Sequence, residues 1–353
     1  MSINNDFATA IELTGAAQAA AQAFEHAMPL AGWLPFNQNP TLNYSFDASD
    51  KTPVDVAQYR AFDTAAPYGR LGRTITKSGK LPAISKKLPV SEYTELQYAN
   101  QLGMIGDKLV GYAEQLGVEI AARVEIARVQ AVTTGQVVLD ENGLVATIDY
   151  GRRPELTVPL PATNKRWSDP ASQPVDQLLD WRNLVKAASN GVMPTAVMMS
   201  SAGMNALATN KQIISFALGR TNDLPGRVST GDVMTVLAGY AGLTQTIVAT
   251  DVYSAHHFGQ VVWPDGQIVL LPPSSVISIA GAGSLGTTDY GVTAESIQPE
   301  YGIPSGEQSG IFAGAFGHSD PEGLDVLASA VALPLVQRAN TTLGAKVLAE
   351  PGA

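Results

Sequence analysis

Residues 228–337 carry no lysine and no arginine, yet hold ten acids: Asp232, Asp251, Asp265, Asp289, Glu295, Glu300, Glu307, Asp320, Glu322 and Asp325. The opposite bias lies upstream. Arg60, Arg70, Arg73, Lys77, Lys80, Lys86 and Lys87 are opposed only by Asp63, so 28 residues carry a formal charge of +6. A chain that masses its charges in two separate places must solvate each mass or set one against the other. Opposed patches steer encounter and fix register between copies of a chain. The basic set therefore reads as an intersubunit contact, with Asp289, Glu295, Glu300, Glu307, Asp320, Glu322 and Asp325 as candidate counterparts. The competing reading is a solvated basic loop.

Composition narrows the field. A single core stops growing at roughly 250–300 residues, so 353 residues predict two or more subdomains. With 45% hydrophobic and only 15% charged residues the chain folds. So low a charged fraction suits a surface covered by other subunits. The absence of cysteine excludes disulfide frameworks, thiolate zinc sites and cysteine nucleophiles. The first residues have no basic, then apolar, signal-peptide pattern, and no run of about 18 uncharged apolar residues predicts a spanning helix. A net charge of −10 argues against a general nucleic-acid binder.

Along the chain, residues 1–50 read as an arm. An Ala-rich helix over 8–27 ends at Trp33-Leu-Pro-Phe-Asn-Gln-Asn-Pro40, and the aromatics Trp33, Phe36, Tyr44 and Phe46 are expected to anchor the arm on a neighbour. Residues 51–90 read as a long two-stranded excursion resting on another surface. Ser91 precedes Glu92 and Glu95, an N-terminal signal for a helix reaching Thr134, with a break or bend expected at Gly103 and Gly106. Ile105, Leu109, Tyr112, Leu116, Ile120 and Val124 form one apolar stripe along it. A hairpin turns at Asp140-Glu-Asn-Gly143. Helices are predicted over 175–190, 201–208, 211–218 and 231–240. Strands are predicted over 195–199, 246–253, 261–271 (with a Pro264-Asp265-Gly266 turn inside it), 324–336 and 343–348, and Gly/Ser-rich loops over 281–323.

The chemical motifs are weak. Gly281-Ala-Gly283-Ser-Leu-Gly286 matches a dinucleotide fingerprint but lacks the helix that would hold a pyrophosphate, so it reads as a loop. His256-His257 would point to opposite faces of a strand, and His26 and His318 stand apart, so no metal site is expected. Asp320 and Glu322 read as a solvated loop rather than an acid–base pair. No nucleophile elbow, Walker loop or zincin motif occurs. No cofactor and no enzymatic activity are expected.

The order of elements has a recognisable form. Lys86-Lys-Leu-Pro89 runs into the helical segment containing Glu119-Ile-Ala-Ala-Arg-Val-Glu-Ile-Ala-Arg128. Asp180-Trp-Arg and Ala196-Val-Met-Met-Ser-Ser-Ala-Gly-Met-Asn-Ala-Leu207 follow, then Ala332-Leu-Pro-Leu-Val-Gln337 and Lys346-Val-Leu-Ala349. This resembles the lambda-type major capsid protein E family of tailed phages, which shares the Hong Kong 97-type capsid fold. The resemblance implies an α+β architecture: an N-terminal arm (1–50), an extended loop over a neighbouring subunit (51–90), and a peripheral domain with a spine helix (91–174). An axial domain (175–330) and a C-terminal return to the peripheral domain (331–353) complete it. It implies a non-catalytic subunit that assembles with itself into hexamers and pentamers of an icosahedral shell. Portal, scaffold and decoration proteins would be partners. Double-stranded DNA would be enclosed without sequence-specific binding, no membrane would be involved, and assembly in the host cytoplasm would yield the virion capsid. Some relatives of this fold crosslink a loop lysine to an asparagine. Lys77, Lys80, Lys86 and Asn340 are the residues available here, but no glutamate is placed beside them and no crosslink is expected. The alternative is the shell of a bacterial nanocompartment of encapsulin type.

Overall fold

The structure, a computed structural model, describes residues 2–47, 59–60, 76–91, 93, 102–254, 258–274, 285–319 and 322–349. In chain order these form β1 (Ser2–Ile3), α1 (Ala10–Ala27), β2 (Phe36–Gln38), β3 (Asn43–Asp47), β4 (Thr76–Lys80), β5 (Ala83–Val90) and α2 (Leu102–Thr134). There follow β6 (Gln136–Glu141), β7 (Leu144–Asp149), β8 (Thr157–Val158), α3 (Pro174–Ala188), β9 (Ala196–Met199), α4 (Ser201–Ala208), α5 (Lys211–Leu218) and α6 (Thr230–Gly239). The rest are β10 (Gln245–Val248), α7 (Ala249–Val252), β11 (Gln267–Leu271), β12 (Gly286–Tyr290), β13 (Ile311–Ser319), β14 (Glu322–Val336) and β15 (Leu343–Lys346). The chain divides into two compact units. Unit 1 comprises Met1–Ser45, Ser78–Val129 and Gly286–Leu335; unit 2 comprises Phe46–Lys77, Gln130–Leu285 and Val336–Ala353.

Unit 1 is built on a sheet of order β1-β13-β14-β12-β2, with β5 also pairing β14. The 15-residue β14 is its axis: β13 lies antiparallel on one edge, from Ile311↔Ala330 to Ser319↔Glu322, and β5 on the other, from Val90↔Leu324 to Ala83↔Val331. α1 starts where Thr9 caps it. The Thr9 hydroxyl accepts the Glu12 N–H, and the Glu12 carboxylate accepts the Thr9 N–H, a reciprocal capping box. Leu13, Ala17 and Ala21, four residues apart, bury one face of α1. Thr14 then ties the helix to β13, its hydroxyl donating to Ala313 O and accepting the Ala313 N–H.

The expected stripe of α2 is present: Ile105, Leu109, Leu116, Ile120 and Val124 are buried against this sheet and helix, with Tyr112 partly buried beside Ala113. The helix does not break at Gly103 or Gly106. Gly106 sits in it because a Cβ there would lie 2.7 Å from Phe7 O, so close packing rather than chain reversal explains this glycine.

Unit 2 is built on a sheet of order β10-β9-β11-β15-β8. Every residue of β9 is buried, since β10 runs parallel on one side and β11 antiparallel on the other. Leu178 and Val185 of α3, Met204 and Leu207 of α4, Ile213 of α5 and Val233 and Leu237 of α6 fill the core against the sheet. Each short helix has its own start signal. Ser200 caps α4 by accepting the Gly203 N–H, Asn210 caps α5, and Ser229 with Asp232 forms a capping box on α6. β6 and β7 form the expected hairpin.

Several expectations are corrected. β10 ends at Val248, opposite the last residue of β9, and the chain turns into α7 instead of extending to residue 253. The strand expected over 261–271 begins only at Gln267, after a turn with Gly266 at φ 75°. The loops expected over 281–323 contain β12 and β13: β13 forms a strand despite Gly314 and Gly317 because β14 pairs it along its length and α1 packs on it. Residues 286–335 cluster with unit 1 rather than with 175–285, since β12 and β13 join the sheet of β14. β15 joins the sheet of β9. Trp33, Tyr44 and Phe46 are buried by their own chain instead of being offered to a neighbour. Only Phe36 of that set stays exposed, at 42%.

Candidate functional site

The two charged sets are the first candidates. Arg60 and Lys80 are exposed, and Arg70 and Arg73 lie outside the described residues. Lys77, Lys86 and Lys87 make ion pairs within their own chain. Lys77 Nζ donates to Asp149 O at 2.6 Å and lies 3.2 Å from its carboxylate; Lys86 meets Glu119 at 2.7 Å; Lys87 meets Asp325 at 3.3 Å. Burial pushes the Glu119 carboxyl up, but hydrogen bonds from Lys86 and Gln115 and the Lys86 charge outweigh it and hold it below its ordinary value. Asp149 is likewise raised by burial but lowered further by the Gly151 N–H and by Lys77.

Among the candidate acids, Asp289 is buried and already accepts from Asn37 at 2.8 Å, Asn39 at 3.1 Å and Thr287 at 2.8 Å. It therefore clamps β12 to the segment around β2. Glu295 accepts from Ser329, and Asp325 faces Lys87 and His318. Glu300 and Glu307 are exposed. Asp320 lies outside the described residues, and for Glu322 the backbone pairing with Ser319 is described.

The sequence reading missed a charged cluster inside unit 1. Arg128 is 0% exposed. Its guanidinium donates to Glu125 Oε2 at 2.9 Å, Glu25 Oε1 at 3.1 Å and Thr288 Oγ1 at 2.8 Å. Tyr290 donates its hydroxyl to the same Glu25 oxygen at 2.8 Å, and Thr288 donates to Leu34 O. Thus α1, α2, β12 and the turn before β2 meet on one guanidinium. Burial disfavours the cation, yet Glu125 and Glu25 outweigh it and hold the Arg128 pKa above its ordinary value. Burial, then the Glu25 charge, pushes the Tyr290 phenol well up, so it stays a neutral donor. The available signal was Glu125 and Arg128 at i and i+3 among the buried Ala121, Val124 and Ala127, charges on a face the stripe makes apolar.

In unit 2, Arg152 closes the end of α2. Its two terminal nitrogens donate to Val132 O at 2.8 Å and Thr133 O at 2.7 Å, carbonyls of the last turn. Burial lowers its pKa to about 10.

Unit 1 also carries an open cleft beside the charged cluster. Gln22, Glu25, Phe36, Gln38, Tyr290 and Glu307 line it. Phe36 lies on Tyr290 with ring centroids 4.9 Å apart.

Among the described residues no group of three or more His, Asp or Glu is placed to hold a metal, and no helix is long and apolar enough to cross a membrane. His256, His257 and residues 281–284 of the glycine motif lie outside the described residues.

Residues 50–347 match the family described as phage major capsid protein E. The chain belongs to this family. Solved structures agree on the fold. A structure assigned to the capsid protein of a prophage from Escherichia coli CFT073 is 15% identical, with a TM-score of 0.56 over 94% of this chain and 99% of that one. A phage-related protein from Bordetella bronchiseptica is 13% identical, with a TM-score of 0.57 over 97% of both chains. A Mycobacterium phage Patience chain is 10% identical, with a TM-score of 0.50 over 99% of this chain and 91% of that one. No curated protein matches. The chain is thus a phage capsid building block with the α+β capsid fold, a structural class of protein whose members assemble with themselves.

Proposed function

We propose that the chain forms the hexamers and pentamers of an icosahedral shell around the double-stranded DNA of a tailed phage, assembled in the host cytoplasm with portal and scaffold and strengthened by decoration proteins. The family match over 50–347 carries this reading. Residues 51–90 would reach over a neighbour. Unit 1, with most of the spine helix and 286–335, would serve a peripheral domain, and 175–285 of unit 2 the axial one. The separation of basic and acidic residues supports contacts between unlike surfaces, the kind a closed ring requires. Exposed apolar residues support it too: Val145 is 79% and Val261 73% exposed, and the stacked Phe216–Tyr240 pair leaves Tyr240 in solvent. The net charge of −10 is compatible with this reading, since a container that must release its DNA need not bind it tightly.

Negative-stain microscopy and sedimentation of the chain, alone and with its neighbouring genes, test the proposal. Uniform DNA-filled shells beside tails are expected. Shells filled with an enzyme would favour the nanocompartment, and a monomer or dimer under every condition would refute both.

A further inference from the structure

We propose that the unit 1 cleft receives a lysine or arginine from the basic segment of a second copy of the chain. This deepens the shell-subunit reading and rests on it.

The lining suits such a side chain. The Glu25 carboxyl group, only 7% exposed, is held in place by Arg128 and Tyr290. Glu307 adds an exposed carboxylate, and Gln22 and Gln38 add amides. Among the described residues that line the cleft there is no lysine or arginine. The half-exposed Phe36 ring offers a face to a cation and its methylene stem. A long apolar stem with a cationic head satisfies all of these at once, whereas an acidic or purely apolar group satisfies few.

The sequence narrows the donor. Residues 60–87 carry +6, and the cleft lies in a chain whose residues 228–337 have no base. Lys77, Lys86 and Lys87 are engaged by Asp149, Glu119 and Asp325 of their own chain. Arg60 also has an interaction of its own, which leaves the exposed Lys80 and, outside the described residues, Arg70 and Arg73 as the donors to test. A second copy supplies them because self-assembly of a shell sets unlike surfaces of identical subunits against each other.

The chain has no cysteine, which makes a direct test clean. Gln22→Cys or Gly306→Cys marks the cleft; a Cβ at Gly306 meets no atom within 4 Å. Leu71→Cys, Thr74→Cys or Ser78→Cys marks the basic segment while keeping every base. One cleft variant and one segment variant are co-assembled, oxidised and run on non-reducing gels. A disulfide needs Cα atoms about 4.4–6.8 Å apart, so it reports seating and not mere proximity. A linked dimer is expected from at least one pairing and none from Val261→Cys with the same segment variants. Glu307→Lys should lower shell yield, and Lys80→Glu or Arg73→Glu in the same chain should restore part of it. Shells that form normally with no linked dimer in any pairing would overturn the cleft assignment and leave the shell reading intact. A parent chain that forms no shells would overturn both.

Discussion

Replacing Arg128 by methionine tests whether the buried cluster holds unit 1 together. The substitution keeps volume and removes the charge. It removes the guanidinium from Glu125, which is 0% exposed, and from Glu25, whose inner oxygen keeps the Tyr290 hydroxyl. Three hydrogen bonds of 2.8–3.1 Å are lost. Charge-assisted bonds contribute about 1.5–3 kcal/mol each, but such terms are not additive. Breaking a buried ion pair by removing one partner costs about 3–5 kcal/mol. An expected loss of about 4 kcal/mol is nearly a thousandfold in the folding equilibrium, at about 1.4 kcal/mol per decade. Trp33 is the one tryptophan of unit 1, so the fluorine resonance of a 5-fluorotryptophan-labelled subunit at that site reads its urea transition apart from unit 2. The pH dependence has a definite sign. In the variant, burial without the Arg128 charge favours the protonated form of the Glu125 carboxyl, so its folded pKa rises relative to the unfolded value of about 4.3. Its contribution is then fully present below that value and lost as pH rises, and the defect should shrink in acid. Replacing all three charges by apolar residues should recover much of the loss. A loss below about 1 kcal/mol for Arg128→Met, with no recovery in acid, would refute the argument that this guanidinium compensates buried carboxylates.

Two glycines of α2 should respond with opposite signs. Gly111 faces open space, so Gly111→Ala should stabilise by about 0.8–1 kcal/mol. At Gly117 a Cβ would come within 2.9 Å of Ala17 C, so Gly117→Ala should destabilise by about 1–3 kcal/mol despite its better helix propensity, as urea midpoints would show. The carboxyls of Glu119 and Asp149 are held below their ordinary values, so their ion pairs stabilise above roughly pH 4 and are lost as pH falls through the lower folded values. Glu119→Gln should therefore flatten the acid limb of stability against pH while changing neutral stability by about 0.5 kcal/mol, since the pair is partly exposed. Reversing Arg70, Arg73, Lys77 and Lys80 to Glu should abolish shells while circular dichroism shows a folded subunit; normal yield would refute charge complementarity.

Local signals were legible wherever a short stretch of chain decides the outcome. Ser200, Asn210 and Ser229 announce the starts of α4, α5 and α6, and Asp140-Glu-Asn-Gly143 announces the hairpin. Gly106 misled because a helical glycine is weak in isolation, while inside a fold it lets another chain segment approach. The strands at 286–290 and 311–319 were missed because the glycines in and around them read as loop punctuation, although Thr287, Thr288, Tyr290, Ile311, Phe312 and Phe316 favour strands. The cleft was illegible because its lining joins α1, β2 and residues near 290 and 307.

The sequence alone determined the family, the apolar stripe of α2, the absence of thiol chemistry and the partition of charge, because each depends on residue types and short-range periodicity. Tertiary structure alone decided which charges remain available. Pairing β12 with β14 and β2 brings Thr288 and Tyr290 to Arg128, and places Asp289 among amides rather than in solvent. Pairing β5 with β14 sets Lys87 opposite Leu327 and within reach of Asp325. Contacts across 100 to 265 residues of chain depend on which strands pair, and no local rule of composition or spacing encodes that choice.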